Sequence, residues 1–116
     1  MPEIALHTTL RADSVADYER LHARVPADLM TALRSAGVRD WRIWRDGVHL
    51  FHLVDVVDYH AMRDFLRDHP ANVVWQGQVG PLHDVPDDYS GGDDGVRLLW
   101  SFAAQLADTD SSPDSA

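Results

Sequence analysis

Apolar residues recur along this chain with two periods, and the periods mark its elements. Val15, Tyr18, His22, Val25, Leu29 and Leu33 fall at helical spacing and form one stripe. The stripe predicts a helix over residues 14–36, with Ser14 and Asp17 in capping-box spacing and Gly37 as its stop. Pro26 lies inside that span, removes a backbone donor, and kinks the helix or splits it in two. Residues 4–10 read as a first strand, 38–44 and 48–56 as a second and third, with Asp46-Gly47 as the hairpin turn between them. Asp58 is placed to cap a second helix that turns Met62, Phe65 and Leu66 inward and ends near His69. Pro70 suits the first turn of a further short helix reaching about Gln78. Residues 80–95, rich in Gly, Pro and Asp, read as a surface loop, and residues 96–102 as a last strand. The small, polar residues 107–116 read as a disordered tail behind a single domain over residues 1–106.

The order β-α-β-β-α-β predicts an α+β fold, a ferredoxin-like antiparallel sheet with helices on one face. Both faces of that sheet carry apolar residues. Leu50 and Val54 on the third strand oppose Phe51 and Leu53, and Val96, Leu98 and Trp100 on the last oppose Leu99. Helices cover one face, and a second copy of the same sheet is the simplest cover for the other. The expected assembly is a homodimer with a shared barrel-like core, a dimeric α+β barrel.

Composition narrows the function. With 116 residues, 45% of them hydrophobic and 25% charged, the chain is an ordinary soluble single domain. No apolar run reaches the ~18 residues of a membrane helix, and no signal peptide is visible, so no membrane partner and a cytoplasmic location are expected. The net charge is −9 and Lys is absent, so the clustered cations that nucleic acid requires are missing. Much of the acidity sits late in the chain, in the 84–95 loop and the tail, as solubilising charge. The absence of Cys excludes disulfides, thiolate chemistry and Cys-ligated zinc.

The candidate chemistry centres on Tyr18 and His22, which lie at i and i+4 and therefore point together from one helix face. Both carry transferable protons, and His titrates near neutrality. They are either hydrogen-bonded core residues or the lining of a pocket. Seven histidines invite a metal, but His49 and His52 lie on opposite faces of one strand, and His60, His69 and His83 fall at helix ends or in loops, where they are expected to be solvated. No metal is therefore expected. No phosphate loop and no Gly-x-Ser-x-Gly elbow occurs. Trp41 and Trp44 sit on opposite faces of the second strand, and Trp75 lies on the short third helix. Such rings serve either packing or stacking on a ligand. Tyr18, His22, Trp41 and Trp75 together would enclose an apolar pocket with a few convergent polar groups.

Several segments together resemble the L-rhamnose mutarotase family. They are Tyr18-x-x-x-His22, Leu33-x-Ser35-x-Gly37, Trp41-x-Ile43-Trp44 and Asn72-Val73-Val74-Trp75-Gln76, and their order and spacing cover residues 3–102. The resemblance implies an enzyme that interconverts α and β anomers of a free 6-deoxy sugar, L-rhamnose or a relative such as L-fucose, with no metal or cofactor. It implies a proton-donor role for His22, and sugar-holding roles for Tyr18, Trp41 and Trp75. Gln76 stands where some members have a second Trp. Members typically carry Tyr in place of Trp41 and Trp-Pro-Glu in place of Pro26-Ala27-Asp28. In this chain water or Asp28 is the expected partner of the anomeric hydroxyl. The wider dimeric α+β barrel class leaves two other readings open, a cofactor-free monooxygenase or cyclase acting on a polycyclic aromatic, and a non-catalytic ligand-binding protein.

Overall fold

The computed structural model describes residues 3–84 and 95–111. Three antiparallel strands form the sheet: β1 (Glu3–Thr9), β2 (Val38–Asp46) and β3 (His49–Val56), in the order β1-β3-β2. The period-2 alternation of β3 is explicit. Leu50, Val54 and Val56 are fully buried and His52 nearly so, while His49 and Phe51 are exposed. Gly47, at φ 60°, supplies the left-handed residue that the tight β2–β3 turn demands.

Pro26 splits the first helical segment into α1 (Val15–His22) and α2 (Ala27–Ser35). Its ψ of 144° takes the chain out of helix, and it becomes the residue preceding α2. The apolar stripe survives the break, because both pieces lie on the same face of the sheet. Gly37, at φ 95°, closes α2 and turns the chain into β2. The capping box expected at Ser14 does not form: the Ser14 hydroxyl donates to the Asp13 carboxylate at 3.3 Å, and Asp17 pairs with Arg20 at 2.9 Å. A shorter Asp in the Glu position instead finds a partner on its own helix.

Helices α3 (Tyr59–Arg67) and α4 (Pro70–Val79) follow as two pieces. The Asp58 carboxylate accepts the Ala61 N–H at 3.0 Å, and His69 Nδ1 accepts the Ala71 N–H at 3.1 Å ahead of Pro70. Met62, Leu66 and Val79 join Leu29, Ala32, Val54 and Val56 in the main core. Leu10, Tyr18 and Leu50 form a smaller cluster at one end. A 3₁₀ turn, Gly80–Leu82, then brings His83 back beside Leu10 through an isolated bridge.

The last strand is a correction to the expectation from sequence. Only Val96 pairs with β1, its N–H donating to the Ala5 carbonyl at 2.7 Å, and residues 97–101 have no regular structure. Leu98, Leu99 and Trp100 are 76, 97 and 61% exposed, so this segment, apolar on both sides, is left largely uncovered by the described residues. From residue 102 a helix replaces it, α5 (Phe102–Ser111), running over residues whose small, polar composition read as the beginning of the tail. Ser101 starts that helix, its hydroxyl accepting the Ala104 N–H at 3.2 Å. The acidic stretch at residues 85–94 and the tail beyond residue 111 lie outside the described residues. No helix among the described residues is long and apolar enough to cross a membrane.

Candidate active site

The helical face of the sheet carries a cleft of ≈ 1220 Å³. Its floor is Leu6 and Thr8 of β1, Trp41 and Ile43 of β2 and His52 of β3; its walls come from α1, α2, α3 and α4, and His83 also lines it. The alternation of the strands aims the floor residues upward, since Trp41 pairs with Val54, Ile43 with His52 and Leu6 with His52.

Tyr18 and His22 meet in this cleft. Their rings stack at 4.0 Å between centroids, a consequence of the i, i+4 spacing. Tyr18 is buried at 5% exposure and His22 is half-buried. His22 Nδ1 lies 3.0 Å from the Tyr18 main-chain carbonyl. A carbonyl only accepts, so Nδ1 carries hydrogen, and Nε2 is the nitrogen that can exchange a proton with a ligand. Desolvation lowers the His22 pKa, the hydrogen bond to the carbonyl opposes that shift, and the charge of His83 adds to it. Burial pushes the Tyr18 hydroxyl up to about 12, so it stays protonated and acts as a donor rather than a base.

Trp75 stands edge-on to His22 at 5.1 Å and is itself 8% exposed, so it presents a strip of its ring to the cleft and gives the rest to the core. Gln76 donates to the Asn72 side-chain oxygen at 3.3 Å, and Asn72 in turn donates to the Leu66 carbonyl at 3.0 Å. Trp41 is half-buried and turns its indole N–H to His52 Nδ1 at 3.2 Å. His52 Nε2 lies 3.0 Å from the Thr8 hydroxyl. Burial first, then the charges of His83, His22 and His7, bring the His52 pKa down to about 4.

Of the residues singled out from sequence, Tyr18, His22, Trp41, Trp75 and Gln76 line the cleft. Asp28 does not; it sits in the first turn of α2 with its carboxylate on the Leu29 N–H at 2.8 Å. A carboxylate one methylene shorter than that of Glu, next to the exposed N–H groups of a helix start, has its acceptor satisfied there. His49 and His52 lie on opposite faces, as their spacing requires, with His49 bonded to His7 at 3.0 Å on the side away from the helices. His83, expected in solvent, instead sets its ring edge-on to Tyr18 at 5.7 Å and donates from Nδ1 to the Val79 carbonyl at 2.9 Å. Sequence reasoning missed it because the fold-back at Gly80–Leu82 has no periodic signature. It also passed over His52 and Thr8, although the alternation that buries Leu50 and Val54 puts His52 on the same face. Among the described residues no three His, Cys, Asp or Glu side chains converge as metal ligands would.

The cleft thus combines a largely apolar lining with the imidazoles of His22, His52 and His83, the phenols of Tyr18 and Tyr59, and fixed amide, indole and hydroxyl groups. This chain is similar to several known proteins. The family model described as "L-rhamnose mutarotase" matches residues 3–102. An L-rhamnose mutarotase of Paraburkholderia phytofirmans is 33% identical over 89 residues, covering 75% of this chain and 83% of that protein. One from Paraburkholderia xenovorans is 38% identical over 66 residues, covering 55% and 62%. In fold, the crystal structure of an L-rhamnose mutarotase from Formosa agariphila superposes with a TM-score of 0.70 at 17% identity, covering 88% of this chain and 99% of that one. On the length of the family match and the identity shared with these relatives, the chain belongs to the L-rhamnose mutarotase family.

Proposed function

We propose that this protein is an isomerase that interconverts the α and β anomers of L-rhamnose by general acid–base catalysis, without a cofactor. The observation that carries the reading is His22, held by one nitrogen on the Tyr18 carbonyl and presenting the other to a cleft of suitable lining. Mutarotation needs a proton delivered to the ring oxygen and another removed from the anomeric hydroxyl, with no redox step. In the opening direction, His22 Nε2–H gives its proton to the ring oxygen as the bond from that oxygen to C1 breaks, and the anomeric hydroxyl releases its proton to water. Rotation about the bond between C1 and C2 presents the other face of the aldehyde. In closure the C5 hydroxyl adds to C1, its proton returns to Nε2, and the new anomeric oxygen takes a proton from water.

Tyr18, kept protonated by burial, donates to the sugar and fixes it over His22. Trp41 offers the wider exposed ring for the sugar's C–H face and methyl group, Trp75 a narrower strip, and Gln76 a polar end held by Asn72. Asp28, engaged at the start of α2, leaves the anomeric proton to water. The test is anomeric exchange of L-rhamnose and of L-fucose by saturation-transfer NMR. His22→Ala should lower the enzymatic exchange by roughly 10²–10⁴-fold at unchanged circular dichroism. Exchange equal to wild type in that variant overturns the assignment.

We also infer that the protein works as a homodimer. On the sheet face away from the helices Trp44 and Phe51 are 50 and 45% exposed, and the chain following Val96 adds the exposed Leu98, Leu99 and Trp100. A second copy covers it, and sedimentation velocity should return about twice the 13.0 kDa chain mass.

A further inference from the structure

We propose that Trp41, His52 and Thr8 form a directional hydrogen-bond relay that makes the Thr8 hydroxyl a dedicated donor to a non-reacting hydroxyl of the bound sugar, at C2, C3 or C4; the assignment of the sugar rests on the function proposed above. The direction follows from chemistry alone. An indole N–H only donates, so His52 Nδ1, 3.2 Å from Trp41 Nε1, must accept. A neutral imidazole has one N–H, which is then on Nε2. Nε2, 3.0 Å from Thr8 Oγ1, therefore donates, and Thr8 receives. The Thr8 hydroxyl hydrogen is the one donor of this chain that the relay does not consume, and Thr8 lines the cleft.

Three strands contribute one member each: Trp41 from β2, His52 from β3 and Thr8 from β1. The relay thus spans the width of the sheet floor, facing α1 with Tyr18 and His22. It is built for binding rather than proton transfer. A second proton on His52 would have to enter at Nδ1 and displace the Trp41 N–H, and the low His52 pKa of about 4 agrees with that cost. A group that keeps one protonation state across neutral pH orients a hydroxyl without competing with His22 for the reacting proton. His52 is accordingly a positioning residue, acting through Thr8, and Trp41 serves both as sugar wall and as the lock on the His52 tautomer.

The experiment has two arms on the full-length protein. In the first, long-range ¹H–¹⁵N correlation of ¹⁵N-His-labelled protein at pH 7 reads the His52 tautomer. The relay requires Nε2–H in wild type and loss of that single tautomer in Trp41→Phe; Nδ1–H in wild type overturns it. In the second, exchange kinetics of L-rhamnose are compared for wild type, Thr8→Val and Thr8→Ser. Thr8→Val should raise KM about three- to tenfold with kcat within about twofold, the loss expected for one neutral hydrogen bond made equally in ground and transition states, and Thr8→Ser should restore it. One of the 2-, 3- and 4-deoxy analogues should be insensitive to Thr8→Val, identifying the hydroxyl. Wild-type catalysis with an unchanged KM in Thr8→Val, or with all three analogues still sensitive to it, overturns the Thr8 role and leaves the function standing. Absence of exchange in wild type overturns both.

Discussion

Lowering the pH from 7 to 4 should weaken the fold by about 3 kcal/mol through His52 alone. The side chain is 8% exposed, takes the Trp41 N–H on one nitrogen and holds Thr8 with the other. Its pKa falls from 6.5 to about 4, mainly from desolvation and then from the neighbouring charges of His83, His22 and His7. Each unit is worth about 1.4 kcal/mol, so the shift corresponds to about 3 kcal/mol. The sign is set by which state binds the proton first. The unfolded chain's imidazole protonates near pH 6.5, whereas the folded one resists until about pH 4. Stability from this group is complete above about pH 6.5, declines as pH falls through the window, and is gone below about pH 4. For a small domain with a total of about 5–15 kcal/mol, the loss is large. Urea unfolding of wild type and His52→Leu at pH 7, 5.5 and 4.5 isolates the term, because His22 and the carboxylates titrate in both proteins. Wild type should lose stability more steeply than the variant between pH 6.5 and 4.5. Parallel losses in the two proteins, or a His52 Cε1–H titration in the folded state centred near pH 6.5, would refute the reasoning.

Three further outcomes can be measured. With the His22 pKa lowered by desolvation and His83, the enzymatic exchange rate, after subtraction of the uncatalysed one, should rise as pH falls from 8 to 6 and level off below the His22 pKa; a rate that instead falls over that range would make neutral His22 the working form and refute its role as acid. In Gly95→Ala, at φ 76°, the new Cβ would lie 2.6 Å from Ile4 Cγ2 and 2.8 Å from the Ala5 carbonyl oxygen, so the Val96 amide should lose its Ala5 partner and its hydrogen-exchange protection. Asp58→Ala should cost about 1 kcal/mol in urea unfolding by removing the cap on Ala61, whereas Asp58→Asn should retain most of it.

Strands β1 to β3, the Asp46-Gly47 turn, the stops at Gly37 and Pro70 and the stripe that carries Tyr18 and His22 were all legible from spacing, because each is a local consequence of period and backbone chemistry. The segment at residues 96–102 was not. Its apolar alternation calls for a cover, and the described residues supply one paired residue at Val96 and a helix start at Ser101, leaving Leu98 to Trp100 largely exposed. The site divides the same way. Tyr18, His22, Trp41, Trp75 and Gln76 stand on regular elements and could be placed, whereas His83 arrives by a fold-back of the chain, and the Asp28 carboxylate is claimed by its own helix. The pairing of Trp41 with His52 needs the β2–β3 register, which the bulge between Val38 and Asp40 shifts by a residue at the far end.

Three histidines line one cleft, and their hydrogen bonds set His52 apart from the other two. His52 has both nitrogens committed, one to a donor and one to a hydroxyl, so it can hold a shape and cannot carry a proton without breaking one bond. His83 has Nδ1 on the Val79 carbonyl and its ring against the Tyr18 edge, and its charge works against protonation of both other rings. His22 and His83 each rest Nδ1 on a main-chain carbonyl at intermediate burial, and His22 is the one that stacks on Tyr18 and meets the edge of Trp75. Because the charge of His83 opposes protonation of His22, and those of His83 and His22 oppose protonation of His52, a second proton in the cleft is disfavoured. The proposed catalysis, in which one proton is handed to the ring oxygen and recovered on closure, uses His22 as that single acid, over a floor where His52 keeps both nitrogens engaged.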